Sequence, residues 1–241
     1  MKICVFSIAT YWHGLRGGMD LHGKNLLEGL SERGHKIIVI STKHPDGKKY
    51  EEINDIKIYY LEQTTFGSLR RGWKKQSINK FKDIVKKELV DVVLSQSVAG
   101  FSVVKVAKSM GIPFVTIMHG YATMGFLSIL NQVRSLKDGY LYLVKSYLSA
   151  VYYSIFRELP LLINSSAIIA VSDEVRRVIG KRPFVKRDKI KVINYGIDLK
   201  LFNFSEEERK TTRLKLNISN HDEVVFFLSL LSKQKGADIA I

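Results

Sequence analysis

The sequence predicts a doubly wound α/β domain, a parallel sheet with helices on both faces. Three observations lead there. Short apolar runs alternate with helix-like patterns along roughly the first 190 residues, a span within the usual domain range. Those runs are continuous rather than alternating, as in strands covered on both faces. The glycine- and histidine-bearing segments fall at the carboxyl ends of the predicted strands, where such sheets bind ligands.

In chain order, residues 2–8 read as the first strand. The following loop ends in Gly17 and Gly18, and a helix is expected over 20–33, with Leu26, Leu27 and Leu30 at helical spacing and Gly34 as its stop. Paired glycines suit a sharp turn and close backbone approach to a ligand. A helix starting just after them would aim free N–H groups at phosphate or sugar oxygens. Strands are expected at 36–41 (KIIVIS) and 56–61 (IKIYYL), and a basic helix at 78–88. A strand at 91–95, a helix at 101–110 and a strand at 113–118 (PFVTIM) come next. The series closes with a strand at 166–171 (SAIIAV), a helix at 173–179 and a strand at 190–194 (IKVIN). This makes residues 1–198 one Rossmann-like domain. Beyond it, 206–216 reads as a charged helix, 223–228 (EVVFFL) as a strand and 236–241 as the opening of a helix. One strand and part of a helix cannot bury a core. Residues 199–241 are therefore expected to be the start of a second α/β domain, cut short.

Composition narrows the function. The 241 residues carry 38 Lys+Arg against 23 Asp+Glu, a formal charge of +15 that favours anionic partners. No nucleic-acid module or aromatic–basic interleaving accompanies that charge, so nucleic acid is not an expected partner. The single cysteine, Cys4, rules out an internal disulfide and points to a reducing, cytoplasmic compartment. The apolar run at 3–6 leads directly into the fold, and no signal peptide is expected. Residues 69–87 hold eight Lys/Arg against Asp83 alone, which suits either a solvated helix face or a binding surface. Residues 140–156 carry one charge, Lys145, yet Leu141, Val144, Leu148, Val151 and Ile155 are spaced 3, 4, 3, 4. That spacing marks a packing seam rather than a membrane span.

Two motif matches fail on chemistry. The run from Gly18 through Gly23 and Lys24 comes close to a phosphate-binding loop, but Asn25 stands where a Mg²⁺-holding hydroxyl is needed. No Asp-x-Asp pair occurs, so a metal-bridged sugar-nucleotide site is not expected.

Taken together, five stretches in order resemble the retaining "group 1" family of GT-B glycosyltransferases. They are GGMDLHGKNLLEGLSERGHKIIVIST, PFVTIMHG, SAIIAVSDEVRR, KVINYGIDLKLF and FFLSLLSKQKGADIAI. The resemblance implies a GT-B fold, of which this chain would supply the acceptor-side N-terminal half. It implies transfer of a sugar from a nucleotide sugar, with retention and without metal or other cofactor, to a glycan or polyprenyl-linked acceptor. By the same resemblance, Gly17 and Gly18 form the loop at the interdomain cleft and Asp20 and His22 flank it. His119 faces the reacting sugar as the catalytic candidate, or caps a buried strand end. Ser172 lines the cleft or caps a helix. Lys235 contacts the donor diphosphate. Three positions depart from the family pattern: Leu230 replaces an arginine suited to bidentate phosphate contact, Ser229 a glycine, and Tyr195 an asparagine. The paired glutamates that hold the donor are not among the 241 residues, so the chain by itself is expected to be inactive. A non-catalytic remnant or binding module is the alternative. Residues 70–87 would provide peripheral contact with an anionic membrane.

Overall fold

The computed structural model describes residues 1–14, 17–121, 136–229 and 236–240. Its frame is an eight-stranded sheet in the order β3-β4-β2-β1-β5-β6-β7-β8. The strands are β1 (Lys2–Phe6), β2 (Lys36–Thr42), β3 (Tyr50–Ile53), β4 (Ile56–Leu61), β5 (Val92–Gln96), β6 (Phe114–Met118), β7 (Ala167–Ala170) and β8 (Ile190–Val192). All pairs are parallel except β3 with β4. The doubly wound α/β fold is therefore as expected.

Burial explains the continuous apolar runs. In β1, Ile3 and Val5 face one side of the sheet with Leu27, Ile37 and Val39. Cys4 and Phe6 face the other with Trp73, Phe81 and Val93. Both faces of the central strands are covered, so they are mainly apolar, with buried polar residues such as Ser41, Thr42, Ser95 and Gln96 gathered at their carboxyl ends. Helix α1 (Gly18–Glu32) covers the first face. Helices α2 (Trp73–Lys87) and α3 (Val104–Ser109) cover the second. A third cluster packs β7 and β8 beneath Val175 and Ile179 of α6 (Asp173–Ile179). Cys4 is fully enclosed in this core, and burial pushes its thiol pKa far up.

Four local features differ from the sequence reading. The edge strand β3 was not expected. It pairs antiparallel with β4 across a two-residue turn, Asn54 and Asp55, both at positive φ. That is the conformation of a tight hairpin. Helix α2 begins at Trp73, five residues earlier than expected. Trp73 is fully buried and its indole N–H donates to the Ala99 carbonyl at 2.9 Å. The helix expected over 101–110 is a 3₁₀ segment at Ser97–Ser102 followed by α3. Residues 223–228 form no strand, and Val225 is 95% exposed. Among the described residues no neighbouring strand offers them a ladder, and an unpaired strand is not stable in water.

The long apolar stretch forms α4 (Leu136–Tyr153), a π turn at Ser154–Glu158 and α5 (Leu159–Asn164). The expected seam is at most half-buried: Leu148 and Ile155 face outward, Val144 and Val151 are half-buried, and the Leu141 side chain lies outside the described residues, whereas the buried Leu161 and Leu162 belong to α5. Among the described residues no helix is long and apolar enough to cross a membrane. Farther on, α7 (Glu206–Lys215) and α8 (Ala237–Ala240) fall where helices were expected.

Gly72 caps the N-terminus of α2 at φ +75°, and a Cβ there would lie 2.0 Å from the Gln63 carbonyl oxygen. Backbone strain and a backbone clash act together. Gly72→Ala is expected to lower stability by about 1–3 kcal/mol, read as a lower urea midpoint with an unchanged slope.

Candidate functional site

The strand order reverses beside β1. The chain passes from β1 to β2 and β4 on one side, then returns to place β5 on the other. Loops leaving β1 and β5 therefore diverge and leave a crevice at their carboxyl ends. A cavity of about 290 Å³ lies there, lined by Ser7 to Trp12 after β1, by Gln96 and Ser97 at the end of β5, and by Asp20 and Lys24 of α1.

Buried polar contacts shape the loop after β1. Ser41 Oγ donates to the Ser7 carbonyl at 2.8 Å, and Thr42 Oγ1 to the Ile8 carbonyl at 2.5 Å. His13 Nδ1 accepts the Thr10 N–H at 3.0 Å while its Nε2 donates to the Thr42 carbonyl at 3.2 Å. Burial keeps this imidazole below its ordinary pKa and hence neutral. His44 stacks on it and reaches the Trp12 carbonyl at 3.1 Å. The aromatic wall of Tyr11 and Trp12 is thus held from beneath.

Gly17 and Gly18 open α1 as its N-cap and first residue. Neither has positive φ, with Gly17 at −79°, so the sharp glycine-only turn is not formed. What glycine supplies is clearance at Gly17, where a Cβ would stand 3.1 Å from Asp20 Oδ2. Asp20 accepts the Gly17 N–H at 3.2 Å, an acid placed to suit the helix dipole. Lys24 pairs with Glu28 at 2.7 Å inside α1. The resemblance to a phosphate-binding loop is therefore a feature of helix sequence, as anticipated.

His119 follows β6 directly. Its Nε2 lies 2.6 Å from Gln96 Oε1 and its Nδ1 2.5 Å from the Tyr195 hydroxyl. The carboxamide oxygen can only accept, so this network assigns the proton to Nε2 and leaves Nδ1 to accept from Tyr195. His22 packs against both, with ring centroids 5.5 Å from His119 and 4.3 Å from Tyr195. Burial, and secondarily the neighbouring His22, pulls the His119 pKa down to about 4. Burial also lowers that of His22 and raises that of Tyr195. Two neutral imidazoles and a neutral phenol thus meet at the rim of the cavity.

The structure brings His22, His119 and the N-terminus of α1 to one crevice, with Asp20 on the cavity side. It separates Ser172 from them in role, since Ser172 Oγ caps α6 by accepting the Val175 N–H at 3.3 Å. Lys235 and Leu230 lie outside the described residues. Two contributors escaped the sequence reading. Tyr195 was noted only as a departure from the family pattern. Gln96, the polar residue ending β5, was not singled out. It is only 7% exposed, and its Nε2 has no hydrogen-bond partner among the described residues. A buried donor without an acceptor is costly unless a ligand or water serves it. Aromatic walls with a few convergent polar groups suit a hydroxylated ligand.

The His119 ring is expected to titrate near pH 4 by NMR. Tyr195→Phe removes a hydrogen bond made to the neutral ring, so the midpoint should move upward. The linkage has a definite sign. A depressed histidine pKa favours the folded state above the ordinary value of 6.5, and that contribution is lost as pH falls from there toward 4.

Known proteins share this fold. A protein of Methanocaldococcus jannaschii described as an uncharacterized glycosyltransferase is 24% identical over 230 residues, covering 93% of this chain and 54% of its own length. A glycosyltransferase from Rickettsia africae superposes with TM-score 0.56 at 21% identity, covering 91% of this chain and 50% of that one. Anabaena HepE, solved with UDP-glucose, gives TM-score 0.55 at 17% identity over 91% and 50%. The chain thus spans about half the length of these relatives. The motif-based resemblance holds at the level of family and fold. The model of Glycosyltransferase Family 4 matches residues 16–201, and the chain belongs to that family.

Proposed function

We propose that this chain is the acceptor-side part of a retaining, metal-independent glycosyltransferase that moves a sugar from a nucleotide sugar to a glycan or polyprenyl-linked acceptor. The observation carrying this reading is the union, at one strand-order reversal, of a cavity holding an unpaired Gln96 donor and the His22–His119–Tyr195 cluster. A sugar hydroxyl entering the cavity would satisfy Gln96 Nε2. The His119 ring, neutral at pH 7 and with both nitrogens engaged, would hold Gln96 and Tyr195 in place and present an uncharged wall to the reacting sugar. The open N–H groups of α1 behind Gly17 and Gly18 would face developing negative charge on the leaving diphosphate. Residues 199–241 would begin the donor domain, with Lys235 its first phosphate contact. HepE binds UDP-glucose, which supports a nucleotide-sugar donor here. The reading sets the protein at the cytoplasmic face of a membrane, in polysaccharide biosynthesis. The exposed lysines of α2, Lys74, Lys75, Lys82, Lys86 and Lys87, would face anionic lipid, while Trp73, Phe81 and Ile84 hold the helix to the core.

A non-catalytic remnant is the second reading, favoured by leucine at position 230 in place of the phosphate-binding arginine. Incubation with radiolabelled nucleotide sugars and a cell extract separates the two. Under the transferase reading label enters an extractable glycan, a chelator leaves the rate unchanged, and His119→Ala, by releasing Gln96 and Tyr195, slows transfer by about a hundredfold. Because the chain alone is expected to be inactive, the assay supplies it joined to a donor domain; absence of transfer there would favour the remnant, and measurable turnover by the 241-residue chain alone would rule the remnant out.

A further inference from the structure

A second cavity, of about 510 Å³, opens where the loop before α2 meets the end of α4. Two arginines line it. Arg70 stands on the exposed loop, and Arg157 projects from the π turn. Neither makes an ion pair among the described residues. The Arg157 guanidinium lies 5.2 Å from the Phe101 ring centre and 5.3 Å from that of Tyr153. Stacking holds the cation in place, and among the described residues its hydrogen-bonding fork has no carboxylate to satisfy it. Ser149 adds a hydroxyl to the same lining. Unpaired guanidiniums beside hydroxyls are a setting for phosphate.

Two further observations say what carries that phosphate. Beside the cavity, the outer side of α4 and the π turn exposes Leu148 (59%), Tyr152 and Phe156 (61%) at four-residue spacing, and the Tyr152 and Phe156 rings lie 4.9 Å apart. Such a stripe suits a hydrocarbon chain. On the opposite side, Ile8 and Gly67 belong both to this cavity and to the crevice cavity that contains Gln96. The two spaces adjoin.

We propose that this corner seats a phosphate-linked lipid acceptor. The phosphate lies between Arg70 and Arg157, the hydrocarbon runs along Leu148, Tyr152 and Phe156, and the polar end passes Ile8 and Gly67 toward Gln96. Apolar stripe, paired cations and polar crevice follow one another in the order of such a molecule's parts. This deepens the acceptor side of the transferase reading and rests on it.

Isothermal titration of the 241-residue chain with farnesyl phosphate, farnesol and inorganic phosphate tests the proposal. Farnesyl phosphate should bind more tightly than either fragment. Arg157→Gln and, separately, Arg70→Gln should each weaken it by about tenfold. Leu148→Ser with Phe156→Ser should weaken farnesyl phosphate and leave inorganic phosphate unchanged. Arg70 lies on an exposed loop, so its variant keeps the test valid if loss of the Arg157 stacking disturbs folding. Equal affinity for inorganic phosphate and farnesyl phosphate would overturn the proposal in favour of a free-anion site. Capture by phosphatidylglycerol vesicles, unaffected by either arginine variant and without farnesyl phosphate binding, would overturn it in favour of general membrane contact. Sugar transfer to a soluble acceptor, without any farnesyl phosphate binding, would overturn this subsite and leave the transferase reading standing.

Discussion

The reversal of strand order at β1 is the constraint on which everything else hangs. Two parallel neighbours, β2 and β5, receive their connections from opposite faces, so the chain must part above β1. Nothing in the core can fill that parting, because side chains of the central strands point up and down through the sheet and not beyond its edge. Loops fill it instead, and their polar groups need partners. Buried hydroxyls at Ser41 and Thr42 and the imidazoles of His13 and His44 supply them from the β2 side. On the β5 side, Ser95 Oγ accepts the Gly100 N–H at 2.8 Å and donates to the Ser97 carbonyl at 2.7 Å. Hydrogen bonds brace the crevice on both banks.

Burial at this crevice, with His22 alongside, explains the state of His119. Its ring is held at one nitrogen by a side chain from β5 and at the other by one from beyond β8. Three separate stretches of chain converge on one imidazole. Burial removes its charge, and each hydrogen bond is consistent with only one tautomer of the neutral ring. A group so placed contributes direction and shape more than acid–base reserve.

Much of the fold was legible in the sequence because the central strands have no amphipathic choice to make. Continuous runs such as KIIVIS, short, β-branched and bounded by turn residues, favour strands covered on both faces, and the helices between them follow from connectivity. What was missed lies at the margins. Tyr50–Ile53 alternates exposed and half-buried residues, a pattern too short and too polar to stand out, and its hairpin turn uses Asn54 and Asp55 rather than a glycine. Residues 223–228 have the composition of a strand but form none, because strand formation is a property of pairs. The site was legible where a motif gave direction, as at His22 and His119. It was illegible where contact depends on distant segments: Gln96 and Tyr195 are 99 residues apart in sequence, and no local spacing links them through a histidine. The glycine pair does open a helix, but neither residue uses left-handed freedom, and only Gly17 needs the clearance of a missing Cβ.

The enclosed Cys4 has a practical corollary. It is the sole sulfhydryl in the chain, it sits in the central strand, and burial suppresses its ionisation. An alkylating reagent can therefore reach it only when the sheet itself comes apart. Its modification rate is a clock for global opening, readable by mass spectrometry and insensitive to movement of surface loops. An accessory cysteine placed anywhere on the surface would react on its own, much faster schedule, so one chain could report local and global motion side by side.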